Sequence, residues 1–257
     1  MTGFKPISIN KKNRLPLILV GVAVIAIAAA GYFAYRYLVY PRSPRWNHFR
    51  SYQNNPPEYS EYILQPGQRC GDAPFAFPTT GVVFGMWDQS YRPGHRHSGL
   101  DIFSGTEPGV TPVYAAYDGY LTCQQDWVST VIIRIPDDPL HPGEQIWTYY
   151  THMASKEGES FVAAAFPPGT TEEFVRAGTL LGYQGNYSGD PVNPTGLHLH
   201  FSVVRDDGRG GFLNELEIKN TYDPSPYFNL PFNNNTNPDS FAVCDEQVTF
   251  EDWDLEQ

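Results

Sequence analysis

Hydrophobic and polar positions along the chain fall into three regimes. The first is a run from Leu15 to Tyr35 with no charged residue. It is long enough to form a helix of roughly 31 Å, the hydrocarbon thickness of a bilayer. Lys5, Lys11, Lys12 and Arg14 precede it. Ala28-Ala29-Ala30 offers a signal-peptidase site, but the run is longer than a typical signal core and continues past these alanines. It therefore reads as an uncleaved anchor. Arg36, Arg42, Arg45 and Arg50 on the far side balance the basic residues on the near side, so the positive-inside count does not orient it.

The second regime consists of short apolar runs punctuated by glycine: Val82–Gly85, Val113–Tyr117, Tyr120–Cys123, Thr130–Ile135, Ile146–Tyr150, Thr179–Tyr183 and His198–Val204. β-Branched and aromatic residues ending at turn formers predict strands. One short helix is expected near Thr171–Arg176, and no repeat of fixed period is present. The third regime is proline-rich or acidic and lacks periodicity. Residues 36–72 carry Tyr40-Pro41, Ser43-Pro44, Asn54-Asn55-Pro56-Pro57 and Pro66-Gly67, the pattern of an extended linker. Residues 230–257, with seven acids and no basic residue, read as a loose tail. The expected organisation is a basic N-terminal tail (1–14), a transmembrane anchor (15–35), a linker (36–72), a mainly antiparallel β domain (73–229) and an acidic tail (230–257).

Charge narrows the partners. The net charge of −11 hides an asymmetry: residues 1–50 hold eight basic residues and no acid, leaving 9 basic against 28 acidic residues elsewhere. So acidic a domain has no electrostatic footprint for nucleic acid. The three cysteines include no CxxC pair. One disulfide with one free thiol, or three free thiols, both suit this count. Cys70 and Cys244 bracket the β domain and would be joined in an oxidising compartment.

The candidate chemistry lies in the histidines. His97-Ser98-Gly99-Leu100-Asp101 places an imidazole and a carboxylate four apart. On an extended segment positions 97, 99 and 101 share a face, and Gly99 puts no side chain between them. His198-Leu199-His200 is a second pair; in a strand both rings face one way while Leu199 and Phe201 face the core. Such pairs present nitrogen ligands to zinc. His152 follows a strand-like run and, taken alone, reads as structural. His95 is near enough to His97 to rival it as a ligand, whereas His141 and His48 have weak contexts and stay unassigned.

Together these segments resemble the lysostaphin/LytM-type zinc metallopeptidases over residues 75–228. His97-x-Gly99-x-Asp101-Ile102 resembles the first family motif, followed by Pro112-Val113-Tyr114-Ala115-Ala116 and Asp118-Gly119. Tyr150-Thr151-His152-Met153, Val175-x-x-Gly178-x-x-Leu181-Gly182-x-x-Gly185, Gly196-Leu197-His198-Leu199-His200-Phe201 and Asp223-Pro224-Ser225-Pro226-Tyr227 are similar to the later ones. The resemblance implies a small antiparallel β-sheet, or split barrel, with the site in a groove. It implies zinc held by His97, Asp101 and His200, and His152 and His198 as an unligated catalytic pair. It implies cleavage of peptide cross-links or stems in peptidoglycan. The segments Pro136–Gly143, Lys156–Thr171 and Gly185–Gly196 look long for the family and are expected to line the groove.

Peptidoglycan as substrate places the β domain outside the cytoplasmic membrane, on a single-pass anchor and a linker able to reach roughly 115 Å. The alternatives are a non-catalytic cell-wall binding or regulatory module of the same fold, and a structural zinc site that also ligates His152 or His198.

Overall fold

The computed structural model describes residues 14–35, 38, 44–89, 94–237, 239–245 and 248–251. Residues 1–13 of the expected basic tail, residues 36–37 and 39–43 of the expected linker, and residues 252–257 lie outside these. The chain divides into two compact units, Met1–Asn47 and His48–Gln257.

The first unit carries helix α1 (Arg14–Ala34). Its side chains are described from Ile18 onward, and Ile18, Val20, Ile25 and Ile27 are exposed. Among the described residues no helix is long and apolar enough to cross a membrane.

The second unit is mainly β. Its strands are β1 (Gln68–Cys70), β2 (Val82–Gly85), β3 (Leu100–Phe103), β4 (Pro112–Tyr114), β5 (Gly119–Thr122), β6 (Val131–Ile135), β7 (Ile146–Thr151), β8 (Glu173–Val175), β9 (Leu180–Tyr183), β10 (Leu199–Arg205), β11 (Thr221–Tyr222) and β12 (Val248–Phe250). An eight-stranded sheet runs β2-β3-β10-β7-β6-β5-β8, with β11 also on β10. Pairs β1–β12 and β4–β9 form two further ribbons, and every ladder among these strands is antiparallel.

The two-residue period of a strand separates core from site. Leu199, Phe201 and Val203 of β10, Val131, Ile133 and Ile135 of β6, and Ile146 and Tyr150 of β7 enter the main core. The alternate positions face the other side. At one end Ile132, Trp147 and Val204 form a small second cluster with Trp127, Tyr149 and Phe212. At the other end lie His200 and Thr151, whose Cα atoms are partners across the β10–β7 ladder.

Three expectations are corrected. Residues 171–176 form no helix. Glu173–Val175 is edge strand β8, because pairing with β5 satisfies backbone groups that so short a helix would leave unbonded.

The proposed linker is not extended. Pro44 starts helix α2 (Pro44–Asn54), where a missing N–H costs nothing. A 3₁₀ segment follows over Pro56–Tyr62. Phe49, Tyr52, Tyr59 and Tyr62 then build an aromatic cluster that reaches Phe84 and Phe241.

The acidic tail is likewise tied down through residue 251. Phe232, Phe241 and Ala242 are buried, β12 pairs with β1, Arg69 is ion-paired with Glu251 at 2.6 Å, and Cys70 is disulfide-bonded to Cys244. Cys123 is a buried free thiol. The few aromatic residues of this tail decide its fate, because their burial outweighs its charge.

Candidate metal centre

Asp101 and His200 sit directly opposite each other on β3 and β10, since their Cα atoms are partners in that ladder. His97 lies one turn of chain before β3, and the close approach demands Gly99. A Cβ there would collide with the Phe201 carbonyl and the Ser202 hydroxyl, and would lie 3.0 Å from His200 Nε2. The three donors meet: His97 Nε2 is 3.0 Å from Asp101 Oδ1, His200 Nδ1 is 2.9 Å from the same oxygen, and the two nitrogens are 3.1 Å apart. His97 and His200 are buried and Asp101 nearly so.

Hydrogen bonding outside the centre sets the tautomers. His97 Nδ1 donates to the Met86 carbonyl at 3.0 Å, leaving Nε2 as the lone-pair nitrogen. His200 Nε2 donates to Glu215 Oε1 at 2.7 Å, leaving Nδ1. His152 Nδ1 and His198 Nδ1 donate to the carbonyls of Tyr187 and Gly196, each at 2.6 Å, leaving Nε2 on both. With both rings in these neutral tautomers, two imidazole lone pairs and a carboxylate converge; in the metal-free chain the raised His200 carries a proton into that gap, toward Asp101. That arrangement calls for a cation between them. A tetrahedral zinc with bonds of about 2.0–2.1 Å spaces its ligands about 3.3–3.4 Å apart, so this N,N,O set need open by only a few tenths of an ångström.

Charge follows the same geometry. Burial alone would raise Asp101, but the neighbouring His97 and His198 outweigh it and hold the carboxyl well below its usual range. Burial alone would lower His200; the Glu215 charge and the bonds from Asp101 and Glu215 reverse this and lift it to about 10. Glu215, which burial would raise, is brought down to about 2 by His200 and by its bonds to His200, Ser98 and Ser202. Burial, aided by His198 and His200, lowers His152 to about 3, so this ring is neutral at physiological pH.

The centre opens into a cleft of about 390 Å³ lined by His95, Tyr149, Thr151, His152, His198 and Leu216, besides the three candidate ligands. His152 and His198 stand side by side with ring centroids 4.7 Å apart, and His198 Nε2 is 3.4 Å from Asp101 Oδ1. His152 follows β7 in a left-handed conformation (φ 71°), which only strong local constraints sustain in a residue with a Cβ. His95 reaches the cleft but is not part of the three-donor cluster. His141 is remote from it, paired with the buried Asp138 at 2.8 Å.

Glu215 is the residue that sequence reasoning misses. It is buried and accepts from His200 and from Ser98 and Ser202, at 2.7 and 2.9 Å respectively for the two hydroxyls. A Glu in the irregular Asp- and Gly-containing loop 206–217, with Glu217 two residues on, gives no periodic signal. Of the three long loops expected to line the groove, only Gly185–Gly196 supplies a lining residue, Thr195. Lys156–Thr171 supplies none, and Pro136–Gly143 turns instead toward Tyr227, whose hydroxyl bonds Asp138 at 2.8 Å.

The second unit is thus an antiparallel β domain with a three-donor cluster at the floor of a cleft. No protein-family model and no curated protein matches the chain. Among solved structures it is similar to the catalytic domain of the prophage-encoded protein EnpA from Enterococcus faecalis, at 22% identity and TM-score 0.36, over 59% of this chain and 95% of that one. It is similar to a protein assigned as a glycyl-glycine endopeptidase, lytM, from Ruminococcus gnavus, at 21% identity and TM-score 0.34, over 61% of this chain and 62% of that one. It is also similar to Helicobacter pylori Csd3, at 19% identity and TM-score 0.29, over 60% of this chain and a 34% share of that one.

Proposed function

We propose that this chain is a zinc-dependent endopeptidase that hydrolyses peptide bonds in the cross-links or stems of bacterial peptidoglycan. The observation that carries the reading is the convergence of His97 Nε2, Asp101 Oδ1 and His200 Nδ1, with two further histidines beside them that are each anchored through Nδ1. The residue motifs around these positions supply the substrate class.

Zinc held by His97, Asp101 and His200 would supply Lewis acidity toward a peptide carbonyl and toward water. The chain's own part is proton handling and charge placement. His152, anchored through Nδ1, would take a proton at Nε2 from the attacking water and return it to the leaving amine. His198, held through Nδ1, has Nε2 beside Asp101 and would stabilise the tetrahedral oxyanion as the doubly protonated ring, which donates from Nε2. In this reading α1 belongs to an anchor spanning residues 15–35, and residues 48–257 work outside the cytoplasmic membrane.

The test is direct. The purified full chain, loaded with one zinc, is incubated with sacculi of different cross-link chemistry, and the released peptides are identified by mass spectrometry. New amino and carboxyl ends at one defined bond are expected. A zinc-loaded chain that leaves every sacculus intact would overturn the enzyme and leave a cell-wall binding module.

A further inference from the structure

Helix α2 is more than a tether, because its aromatic face leads to a histidine of the cleft. Phe49 is buried and stacks on Phe84 of β2 with ring centroids 4.0 Å apart and planes 13° apart. Its edge meets Phe103, the last residue of β3, at 4.7 Å. Phe103 in turn lies parallel to the His198 ring, 4.9 Å between centroids and 21° between planes. Tyr52, one turn further along α2, is fully buried and donates its hydroxyl to the Phe103 carbonyl at 2.9 Å. Both the side chain and the backbone of Phe103 are therefore held from α2. His198 is held at both nitrogens in its ring plane, Nδ1 by Gly196 O at 2.6 Å and Nε2 at 3.4 Å from Asp101 Oδ1, and Phe103 packs against its face.

We propose that residues 48–54 are a positioning element for His198, with Phe49 acting through Phe103 to hold the imidazole plane against the cleft. Offset-stacked and edge-on aromatic contacts of this kind fix orientation as well as burying area. The inference rests on the reading of His198 as part of the catalytic pair. It adds that the segment entering the β domain governs the site, so a chain cut at residue 72 would lose turnover while keeping its metal ligands.

The experiment uses the full chain in detergent, zinc-loaded and carrying ¹³C-labelled histidine, with the His198 ring signal assigned by its loss in His198→Gln. Three variants are compared: Phe49→Ala, Phe49→Leu and Phe103→Leu. Phe49→Ala is expected to shift or broaden the His198 ring signal and to lower kcat on the order of tenfold, with KM and zinc content kept, as for a misplaced catalytic group. Phe49→Leu, which refills the space, is expected to restore both. Phe103→Leu is expected to remove the ring-current shift of His198 and to lower kcat; it also decides the matter if Phe49→Ala does not fold. A His198 signal and kcat unchanged in Phe103→Leu, or unchanged in a folded Phe49→Ala, would overturn the proposal. If the wild-type chain proves to have no peptidase activity, the functional reading fails while the His198 signal still reads the brace for or against.

Discussion

Glu215 Oε1 accepts the Nε2 proton of His200 at 2.7 Å, and this single bond decides which nitrogen of His200 faces His97 and Asp101. A carboxylate behind a ligating imidazole fixes its tautomer and raises its basicity. The same carboxylate gathers Ser98 and Ser202, so neighbours of His97 and His200 are tied to one group.

The first prediction follows. Glu215→Ala should weaken zinc affinity by about 10–100-fold, the usual scale for loss of an outer-shell partner. Glu215→Gln retains an acceptor oxygen without the charge and should fall between wild type and Ala. Competition with a chromophoric chelator measures this without reference to activity. Wild-type affinity in Glu215→Ala would show that His200 is oriented by other means.

Replacement of the five cleft residues should divide them into two classes. His97→Ala, Asp101→Ala and His200→Ala each remove a donor and should lose zinc and activity together. His152→Ala and His198→Ala should keep zinc near one per chain while turnover falls about 10²–10⁴-fold, the scale of a general acid or base. The two losses should not add if both act on one transition state. His95→Ala should change neither zinc nor turnover. If His198→Ala empties the site and His200→Ala does not, the ligand within the HxH pair is reversed.

Much of this site is legible in the chain because local spacing encodes it. HxH on a strand must put both rings on one face, and glycine between His97 and Asp101 must permit a close approach; in the structure that approach is to Phe201 and Ser202. Strands β2, β6, β7 and β10 announce themselves as short runs of β-branched and aromatic residues closed by turn formers. What is not legible is non-local. Glu215 reaches His200 across fifteen residues without a pattern. Residues 44–62 look like open linker because their prolines are the only local signal, and the aromatic residues between them act through distant partners. Their partners Phe84, Phe103 and Phe241 are far away in sequence. Strand β8 fails for the opposite reason: Glu173-Phe174-Val175 is too short for any period, and pairing with β5 decides it.

The depressed pKa of His152, about 3, carries a stability cost on acidification. The unfolded ring takes a proton near pH 6.5, while the folded ring resists it, so stability falls as pH drops below 6.5 and keeps falling to about pH 3. Between neutral pH and pH 5 this amounts to about 2 kcal/mol. Urea unfolding of metal-free wild type and His152→Gln at pH 7.5 and pH 5 should therefore converge or cross as pH falls, the variant losing less. Parallel losses in the two proteins would show that His152 titrates normally.

Cys70 and Cys244 close a loop 174 residues long, which joins β1 to the segment before β12. The chain-entropy account assigns such a loop on the order of 5 kcal/mol, an upper figure that strain and residual structure reduce. Cys70→Ser should lower the unfolding midpoint and expose residues 245–257 to protease, with the cleft and its zinc affinity kept. An unchanged midpoint, with both thiols alkylated in a non-reducing peptide map of wild type, would remove the bridge.

The topology is tested by access from outside. An anchor is expected from the charge-free span Leu15–Tyr35, the exposed apolar side chains of α1 and the substrate proposed above, which would lie beyond the cytoplasmic membrane. A soluble protein leaves no such row of isoleucine and valine in water, since each buried side chain of that size gains about 1.5–3 kcal/mol. The chain should therefore fractionate with membranes and resist extraction by high salt and carbonate. Protease added to intact spheroplasts should remove residues 48–257 and leave a small membrane-bound fragment. Full protection of the β domain until lysis would place it on the wrong side for peptidoglycan. A mature N-terminus near Gly31 would mean that the run is a cleaved signal and that the β domain is released.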